Sequence, residues 1–168
     1  LAWYAPVADW ELLVVEQDSA PRLDSTAWPS NVRHVFVPNP GPFNKGWGLN
    51  VGAGLTNRTV LFLCDADLLV ARDALQTAST LCQRRVLAVN PYDRLRDLDQ
   101  DESEAVLGKS LDPDFAPERA QRTRGSREIL SFCAGAFFIR HDLYRALGGF
   151  DERFVGWGGE DDAMTLKL

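Results

Sequence analysis

Two aspartates directly follow an apolar run, and their spacing is the clearest chemical signal in this sequence. Residues 60–64 are apolar and lead into Asp65-Ala66-Asp67. Because side chains alternate along a strand, Asp65 and Asp67 are expected on the same face at its carboxyl end. Two neighbouring carboxylates repel each other unless a cation lies beside them. Mg²⁺ or Mn²⁺ would suit, because hard divalent ions take oxygen ligands and leave positions for phosphate oxygens.

A second acidic group lies near the end of the chain, where residues 160–162 (Glu-Asp-Asp) follow residues 157–159 (Trp-Gly-Gly). The apolar spacing that follows predicts a helix beginning at Glu160. Consecutive helical residues point about 100° apart, so the three acids cannot share one role, and one could act as a base on a substrate hydroxyl. The glycines would let backbone approach a ligand beside the flat apolar face of the tryptophan. The structural alternative is that acids are common in the first turn of a helix.

The elements that must position these groups alternate between strand and helix. Strands are predicted near residues 10–16, 32–37, 59–64, 86–89 and 129–139. Helices are predicted from residue 44, over residues 72–85, and from residues 142 and 160. This order favours an α/β fold with a mixed, mainly parallel sheet and helices on both faces. Ligands of such sheets gather at the carboxyl ends of the strands, where Asp65 and Asp67 are expected.

Length and charge limit the other possibilities. At 168 residues the chain is expected to be one domain. Its net charge of −6 and the absence of a basic stripe argue against nucleic acid as a partner. We see no apolar run of membrane-spanning length in the sequence and no signal peptide. The cysteines, residues 64, 82 and 133, have no metal-ligand spacing and are expected to be free buried thiols.

Residues 91–128 differ from the rest because they are dense in mixed charge, with repeated arginines from residue 119 to residue 127. One interpretation is a solvated helix and loop. The other is a flexible segment that helps to bind an acceptor or closes over the site.

Together these segments resemble the GT-A glycosyltransferases, and most of all the β1,4-galactosyltransferase group and its bacterial relatives, including the catalytic domains of chondroitin-type polymerases. Four motifs carry the resemblance in the family's order: residues 43–52 (FNKGWGLNVG), 64–67 (CDAD), 148–154 (GGFDERF) and 157–162 (WGGEDD). The last is the most specific. The resemblance spans residues 10–168, although residues 91–128 have no clear counterpart.

The resemblance implies a GT-A, Rossmann-like fold and a metal-dependent, inverting transfer from a UDP-sugar of the galactose or N-acetylhexosamine type to a carbohydrate hydroxyl. Asp161 would be the general base and Asp67 a ligand of Mn²⁺ or Mg²⁺, with Asp65 sharing the metal or contacting the ribose. The implied nucleotide-binding residues are Glu16, Gln17, Phe43, Lys45, Asn50, Asp65, Ala66 and Asp67. The implied sugar- and acceptor-binding residues are Phe132, Trp157, Gly158, Gly159, Glu160 and Asp162.

The sequence departs from the family in two places. The opening strand and helix of the fold are missing, and the family's remaining metal ligand, a histidine, would lie beyond Leu168. His34 and His141 do not match that place and are expected to be surface or structural residues. The chain is therefore expected to be a single, partial catalytic domain over residues 1–168 with a charged insertion at 91–128. Its expected location is the bacterial cytoplasm, or the Golgi lumen for a eukaryotic source.

Two other functions are compatible with parts of the pattern. A protein of this fold could hold UDP and a metal without transferring sugar. A phosphatase of the haloacid dehalogenase type also places Asp-x-Asp at a strand end, as nucleophile and acid. Such enzymes usually carry Thr or Val soon after the second Asp and have the motif near the start of the domain. Here Leu68-Leu69 follow, and two predicted strands precede the motif.

Overall fold

A computed structural model describes residues 3–7, 9–108, 122–125 and 131–168. These residues form a mixed α/β fold, as predicted. The strands are β1 (Leu12–Asp18), β2 (Val32–Pro38), β3 (Val60–Cys64), β4 (Ala88–Val89), β5 (Arg94–Asp97), β6 (Arg122–Gly125) and β7 (Ala136–Arg140). The helices are α1 (Lys45–Gly54), α2 (Arg72–Arg84), α3 (Gln100–Gly108), α4 (His141–Ala146) and α5 (Glu160–Thr165).

The strand pairing is mixed, as expected, but only one of the strand pairs is parallel among the described residues. β1 and β2 are parallel, from Leu12 opposite Val32 to Asp18 opposite Pro38. β7 lies between β3 and β4 and is antiparallel to both, and β5 is antiparallel to β6. Within the part of the chain that the structure describes, antiparallel pairing therefore predominates over the expected parallel pairing. The alternation of strands and helices does not predict the direction of β7. The connection between β4 and β7 is long enough for β7 to run either parallel or antiparallel to its neighbours.

The sheet of β3, β7 and β4 carries an apolar cluster on each face, which confirms the prediction of helices on both sides. One cluster joins the sheet to α1, α4 and α5, and it contains Ala53, Leu61, Leu63, Phe137, Ile139, Tyr144 and Met164. The other joins the sheet to α2, and it contains Leu75, Ala78, Cys82, Ala136 and Phe138. Phe62 and Phe138 stack within the second cluster with ring centroids 4.5 Å apart. On α2, Leu81 is exposed and Ser79 is buried.

Close packing fixes the position of α1. Asn44 caps this helix as predicted, since its side-chain oxygen accepts a hydrogen bond from the Trp47 backbone N–H at 2.9 Å. A Cβ at Gly46 would lie 3.0 Å from Phe150 Cβ, and one at Gly48 would lie 2.6 Å from Gln17 Nε2. Because these two glycines have no side chain, the backbone of α1 can pack closely against Phe150 and Gln17. This packing fixes the position of Lys45, the first residue of the helix.

The histidines and cysteines have the structural roles expected of them. His34 Nε2 lies 2.7 Å from Glu16 Oε2, and His141 Nδ1 lies 3.0 Å from the Arg58 carbonyl oxygen. All three cysteines are free; Cys82 and Cys133 are buried and Cys64 is half-buried. Within residues 3–7, 9–108, 122–125 and 131–168, no helix has the length and apolarity needed to span a membrane.

The charged segment at residues 91–128 contains β5, α3 and β6. Residues 109–121 and 126–128, which include part of the arginine-rich stretch, lie outside the described residues. The two interpretations of this segment therefore stay predictions.

Candidate functional site

The two acidic segments meet at one side chain, that of Lys45. Its Nζ lies 2.8 Å from Asp65 Oδ1 and 3.0 Å from each carboxylate oxygen of Asp161. Glu160 Oε1 is 3.9 Å from the same nitrogen. Lys45 and Asp161 are 116 positions apart in the sequence. The segments containing Asp65 and Asp161 therefore face a common point, which we call the acid cluster: Lys45, Asp65, Asp67, Glu160 and Asp161.

Three elements of the fold deliver these side chains. Lys45 begins α1, Asp65 follows β3, and Glu160 and Asp161 occupy the first turn of α5. The Asp65 backbone N–H donates to the Gly135 carbonyl at 2.7 Å, which ties the end of β3 to the loop before β7. Met164, on the inner side of α5, is completely buried in the core. The acids are thus held by elements anchored in one hydrophobic cluster.

A residue missed at the sequence level supports the Asp65 loop. The Tyr92 hydroxyl donates to the Ala134 carbonyl and accepts from the Ala136 backbone N–H at 3.2 Å. It therefore fixes the loop whose Gly135 carbonyl binds Asp65. Tyr92 lies at the start of the charged segment, and no local sequence pattern marks it as a neighbour of residues 134–136.

The loop before α5 is turned sharply by glycines. Gly156, Gly158 and Gly159 have φ values of 86°, 101° and 91°, a left-handed region that suits glycine because it lacks a Cβ. A Cβ at Gly159 would also lie 2.7 Å from Phe154 Cε1. Trp157, in the middle of this loop, is completely exposed. The loop therefore presents a flat apolar ring to solvent, as a sugar-stacking role would require.

Burial and mutual contact shift the pKa values of Lys45, Asp65 and Asp161. Burial raises the pKa of the Asp161 carboxyl, and although Lys45 acts to lower it, the net pKa is above its usual range. The pKa of Asp65 is raised for the same reason, again against the influence of Lys45. Burial acts to lower the Lys45 pKa, but the two aspartates outweigh it and the net pKa is raised. Lys45 therefore stays protonated, and three acidic side chains lie within 3.9 Å of its one ammonium.

Glu160 is a carboxylate with little access to water. Its side chain is only 10% exposed, and among the described residues the cation nearest to its carboxylate is the Lys45 ammonium, at 3.9 Å. Burying a carboxylate without hydrogen-bond donors is costly. The sugar-binding role implied for Glu160 stays a prediction.

The chemistry of Asp65 and Asp67 suits a hard divalent cation, and the Lys45 ammonium against Asp65 is a stand-in cation within the chain itself. Asp67 is exposed next to it. Among the residues described by the structure, no group of three or more His, Cys, Asp or Glu side chains is arranged to hold a metal. The roles of Asp65 and Asp67 as metal ligands therefore stay predictions.

Phe43 lies at a surface cavity at the carboxyl ends of β1 and β2. The Phe43 ring is 58% exposed, and its carbonyl oxygen accepts a hydrogen bond from the Gly156 backbone N–H at 2.8 Å. The cavity has a volume of about 260 Å³ and is lined by Gln17, Asp18, Ser19, Asn39, Pro40, Gly41 and Phe43. It is open to a planar ligand group, as the implied nucleotide contact of Phe43 would need.

Other residues implied in nucleotide binding are engaged within the protein. Gln17 Nε2 donates to the Asn44 carbonyl at 2.6 Å, and Gln17 Oε1 accepts from the Asn44 backbone N–H at 3.1 Å. Glu16 contacts His34 and accepts from the Arg22 backbone N–H at 2.7 Å. Both side chains therefore shape the loops around the cavity, and their direct contact with a nucleotide stays a prediction.

Asn50 is engaged even more completely. Its Oδ1 accepts from the Tyr144 hydroxyl at 2.5 Å and from the Phe150 backbone N–H at 2.9 Å. Its Nδ2 donates to the Phe150 carbonyl at 3.0 Å and to Glu152 Oε1 at 2.8 Å. The side chain thus binds α1 to the segment that leads to the Trp157 loop. No local pattern in the sequence indicates this structural role of Asn50.

The remaining implied site residues lie outside the acid cluster or at its rim. Phe132 is half-buried, with its ring centroid 6.2 Å from that of Phe137, so its ring packs on the core. Ala66 and Asp162 are exposed. A role for Phe132 in the choice of sugar, and contacts of Ala66 and Asp162 with ligands, stay predictions.

Comparisons with known proteins agree with the class of protein that the sequence resembles. Residues 119–168 match the family described as the N-terminal domain of galactosyltransferase. Chondroitin sulfate N-acetylgalactosaminyltransferase 1 of mouse and that of human are each 28% identical to the chain over 159 residues, covering 86% of this chain. The chain spans only 27% of the length of these curated relatives. Both are animal proteins, so they give no support to the expected bacterial source.

A similarity is also found among solved structures. The catalytic domain of Drosophila β1,4-galactosyltransferase 7, in complex with xylobiose, matches with a TM-score of 0.46 and 16% identity. The match covers 82% of this chain and 46% of that chain. The family match and the curated relatives together show a chain similar to glycosyltransferases: to galactosyltransferases over its C-terminal part, and to N-acetylgalactosaminyltransferases over most of its length.

Proposed function

We propose that the chain is the catalytic part of a metal-dependent, inverting glycosyltransferase. It would move a sugar of the galactose or N-acetylhexosamine type from a UDP-sugar to a hydroxyl of a carbohydrate acceptor. The animal relatives favour the eukaryotic alternative for its location, the Golgi lumen.

One observation carries the proposal: a single ammonium group contacts carboxylates of both acidic motifs. A transferase needs its phosphate-binding group and its base on opposite sides of one reacting carbon. Had the two motifs lain on different surfaces, no such reaction could be assigned to them. Trp157 and Glu160 lie on the same segment. The exposed Trp157 ring offers an apolar surface for a sugar ring, and the nearly buried Glu160 carboxylate offers an acceptor for hydrogen bonds from sugar hydroxyls.

In the proposed reaction, Glu160 accepts hydrogen bonds from sugar hydroxyls, and the Trp157 ring covers the sugar from the solvent side. Asp161 accepts the proton of the acceptor hydroxyl as its oxygen attacks the anomeric carbon opposite the departing UDP, which inverts the configuration. Its raised pKa makes Asp161 a stronger base than an exposed aspartate. Asp65 and Asp67 would hold Mn²⁺ or Mg²⁺, which when bound stabilises the negative charge on the leaving diphosphate.

A donor-specificity assay tests the proposal. The full-length protein would be incubated with Mn²⁺ and each of UDP-galactose, UDP-N-acetylgalactosamine, UDP-N-acetylglucosamine and UDP-glucose, with and without oligosaccharide acceptors. We expect release of UDP from one or two donors and faster release when the correct acceptor is present. UDP binding without release from any donor would instead indicate a protein that holds UDP and metal without transferring sugar. Failure to bind UDP at all would refute both functions.

A further inference from the structure

The Lys45 ammonium occupies the point at which the acid cluster converges. It is within 3.0 Å of carboxylate oxygens from Asp65 and Asp161, and its side chain is only 15% exposed. Asp65 is also one of the two aspartates of the first motif that would hold a divalent cation in the proposed function. One side chain of the protein therefore already satisfies a carboxylate that the metal needs.

A second cation at this place would meet Lys45 directly. A divalent ion on Asp65 would bring two further positive charges close to the ammonium, and repulsion at such distances is strong in a partly buried site. The ion would also have to share or displace the contact at 2.8 Å between Lys45 Nζ and Asp65 Oδ1. Lys45 and a divalent ion therefore compete for the same carboxylate.

Besides Asp65 and Asp161, Lys45 gains a further partner when an anionic ligand is present. It is the first residue of α1 and adjoins Asn44 and the exposed Phe43, which lines the neighbouring cavity. A diphosphate placed between this cavity and Asp65 would offer the ammonium new oxygen acceptors. Movement of the ammonium toward the diphosphate would release Asp65.

We propose that Lys45 is a positioning residue that closes the acid cluster to divalent cations until a nucleotide diphosphate draws its ammonium away. This inference rests on the proposed function. The protein then binds a divalent ion weakly by itself, and metal and nucleotide raise each other's affinity because both gain from the same displacement of Lys45. Such coupling between two ligands is reciprocal by thermodynamic necessity.

The test measures binding of Mn²⁺ alone to the full-length protein, by isothermal titration calorimetry and by electron paramagnetic resonance of free Mn²⁺. Lys45→Met removes the charge and keeps the length of the side chain, so we expect Mn²⁺ to bind about tenfold tighter than to the wild type. Lys45→Arg restores the charge and is expected to return the affinity to the wild-type value. Lys167→Met is the matched control, because Lys167 donates to a backbone carbonyl, that of Gly149, at 2.6 Å. Equal affinity of Lys45→Met and the wild type for Mn²⁺ alone would overturn the proposal.

A second arm adds UDP. In the wild type, UDP is expected to raise the affinity for Mn²⁺, and this gain is expected to shrink in Lys45→Met, where no ammonium has to move. A gain that is just as large in Lys45→Met would contradict the mechanism. If UDP does not bind at all, the proposed function fails, yet the comparison with Mn²⁺ alone still decides whether Lys45 excludes the metal.

Thermal unfolding provides a separate measurement in case Lys45→Met is unstable. Lys45→Met leaves the carboxylates of the acid cluster without their ammonium, so its melting temperature is expected to fall in the absence of metal. Millimolar Mn²⁺ is expected to raise the melting temperature of this variant by several degrees more than that of the wild type. An equal rise in both proteins would count against competition between Lys45 and the metal.

Discussion

Asn50 and Phe150 are joined by a reciprocal pair of hydrogen bonds. The Asn50 amide oxygen accepts from the Phe150 backbone N–H at 2.9 Å, and its amide nitrogen donates to the Phe150 carbonyl at 3.0 Å. The Asn50 side chain thereby satisfies both backbone groups of Phe150, as a neighbouring β-strand would. Phe150 lies in the segment between α4 and the Trp157 loop. Because Phe150 is almost completely buried, this contact fixes the course of the chain toward α5.

Replacing Asn50 with leucine should destabilise the protein. The substitution leaves the Phe150 backbone groups and the Tyr144 hydroxyl without their partner, and an unsatisfied buried polar group typically costs about 1–3 kcal/mol. Urea unfolding measures the change, with Asn57→Leu at an exposed position as the control. Unfolding midpoints that match within error for Asn50→Leu and the wild type would show that these bonds do not hold the segment.

Asp161→Asn should abolish most sugar transfer. Asparagine is nearly isosteric but cannot take up a proton, and loss of a general base typically lowers the rate by about 10²–10⁴-fold. Binding of UDP in the presence of Mn²⁺ should change little, because in the proposed reaction Asp161 would act on the acceptor hydroxyl and would not bind the nucleotide. Steady-state kinetics and calorimetry measure the two quantities. Transfer at the wild-type rate would remove Asp161 from the role of base.

The same variant should unfold at a higher temperature than the wild type at neutral pH in the presence of EDTA. Burial, Glu160 and Asp65 raise the Asp161 pKa, and Lys45 only partly opposes them. The folded pKa therefore lies above the unfolded one, so ionised Asp161 opposes folding, and this cost disappears as the pH falls through the folded pKa. Melting curves of both proteins from pH 7 to pH 3 should converge at the acid end. A difference that widens at low pH would contradict the sign of the shift.

Asp65→Asn and Asp67→Asn should each weaken binding of Mn²⁺ in the presence of UDP. A neutral amide oxygen is a poorer ligand than a carboxylate for a hard cation. Calorimetric titration of Mn²⁺ into the UDP-saturated protein gives the affinities. Asp73→Asn, at an exposed position in the first turn of α2, is the control and should bind Mn²⁺ as the wild type does. Unchanged affinity in Asp67→Asn would exclude it as a ligand.

Trp157→Ala should impair acceptor use without affecting stability. The side chain is fully exposed, and surface substitutions of this kind usually change stability by less than about 0.5 kcal/mol. We expect an unchanged melting temperature together with a raised KM for the acceptor, because a stacking surface is lost. Phe154→Ala is the comparison variant, because it removes another aromatic ring from the same loop. In the wild type, the Phe154 ring packs next to Gly159. An acceptor KM equal to that of the wild type would show that Trp157 does not touch the sugar.

Local patterns predicted the elements of this fold well. The apolar run before Asp65 forms β3, Asn44 caps α1, and the helix predicted from Glu160 begins there. Each of these depends on residues close together in the sequence, such as a cap and its helix or a strand and the turn after it. The pairing of β7 between β3 and β4 depends on contacts across a long connection, and residue periodicity carries no information about its direction.

The candidate site was predictable only as separate motifs. Carboxylate chemistry and motif order identified Asp65 and Asp161, but nothing in either motif shows that Lys45 bridges them. The roles of the amide side chains were equally hard to predict, because an amide can form hydrogen bonds with a ligand or with the protein backbone. Asn50 and Gln17 were assigned to a nucleotide, and the structure uses their amides within the protein. Only the tertiary arrangement reveals which donors and acceptors are already satisfied.

The hydrogen bond between the Phe43 carbonyl and the Gly156 backbone N–H links two loops that would meet different substrates. One loop carries the Phe43 ring, which is expected beside the nucleotide. The other carries the Trp157 ring, which is expected beside the sugar. Because this hydrogen bond joins the two loops, grafting either loop from a related enzyme to alter one preference should disturb the other preference as well. Engineering of this protein would succeed only if both loops were exchanged together.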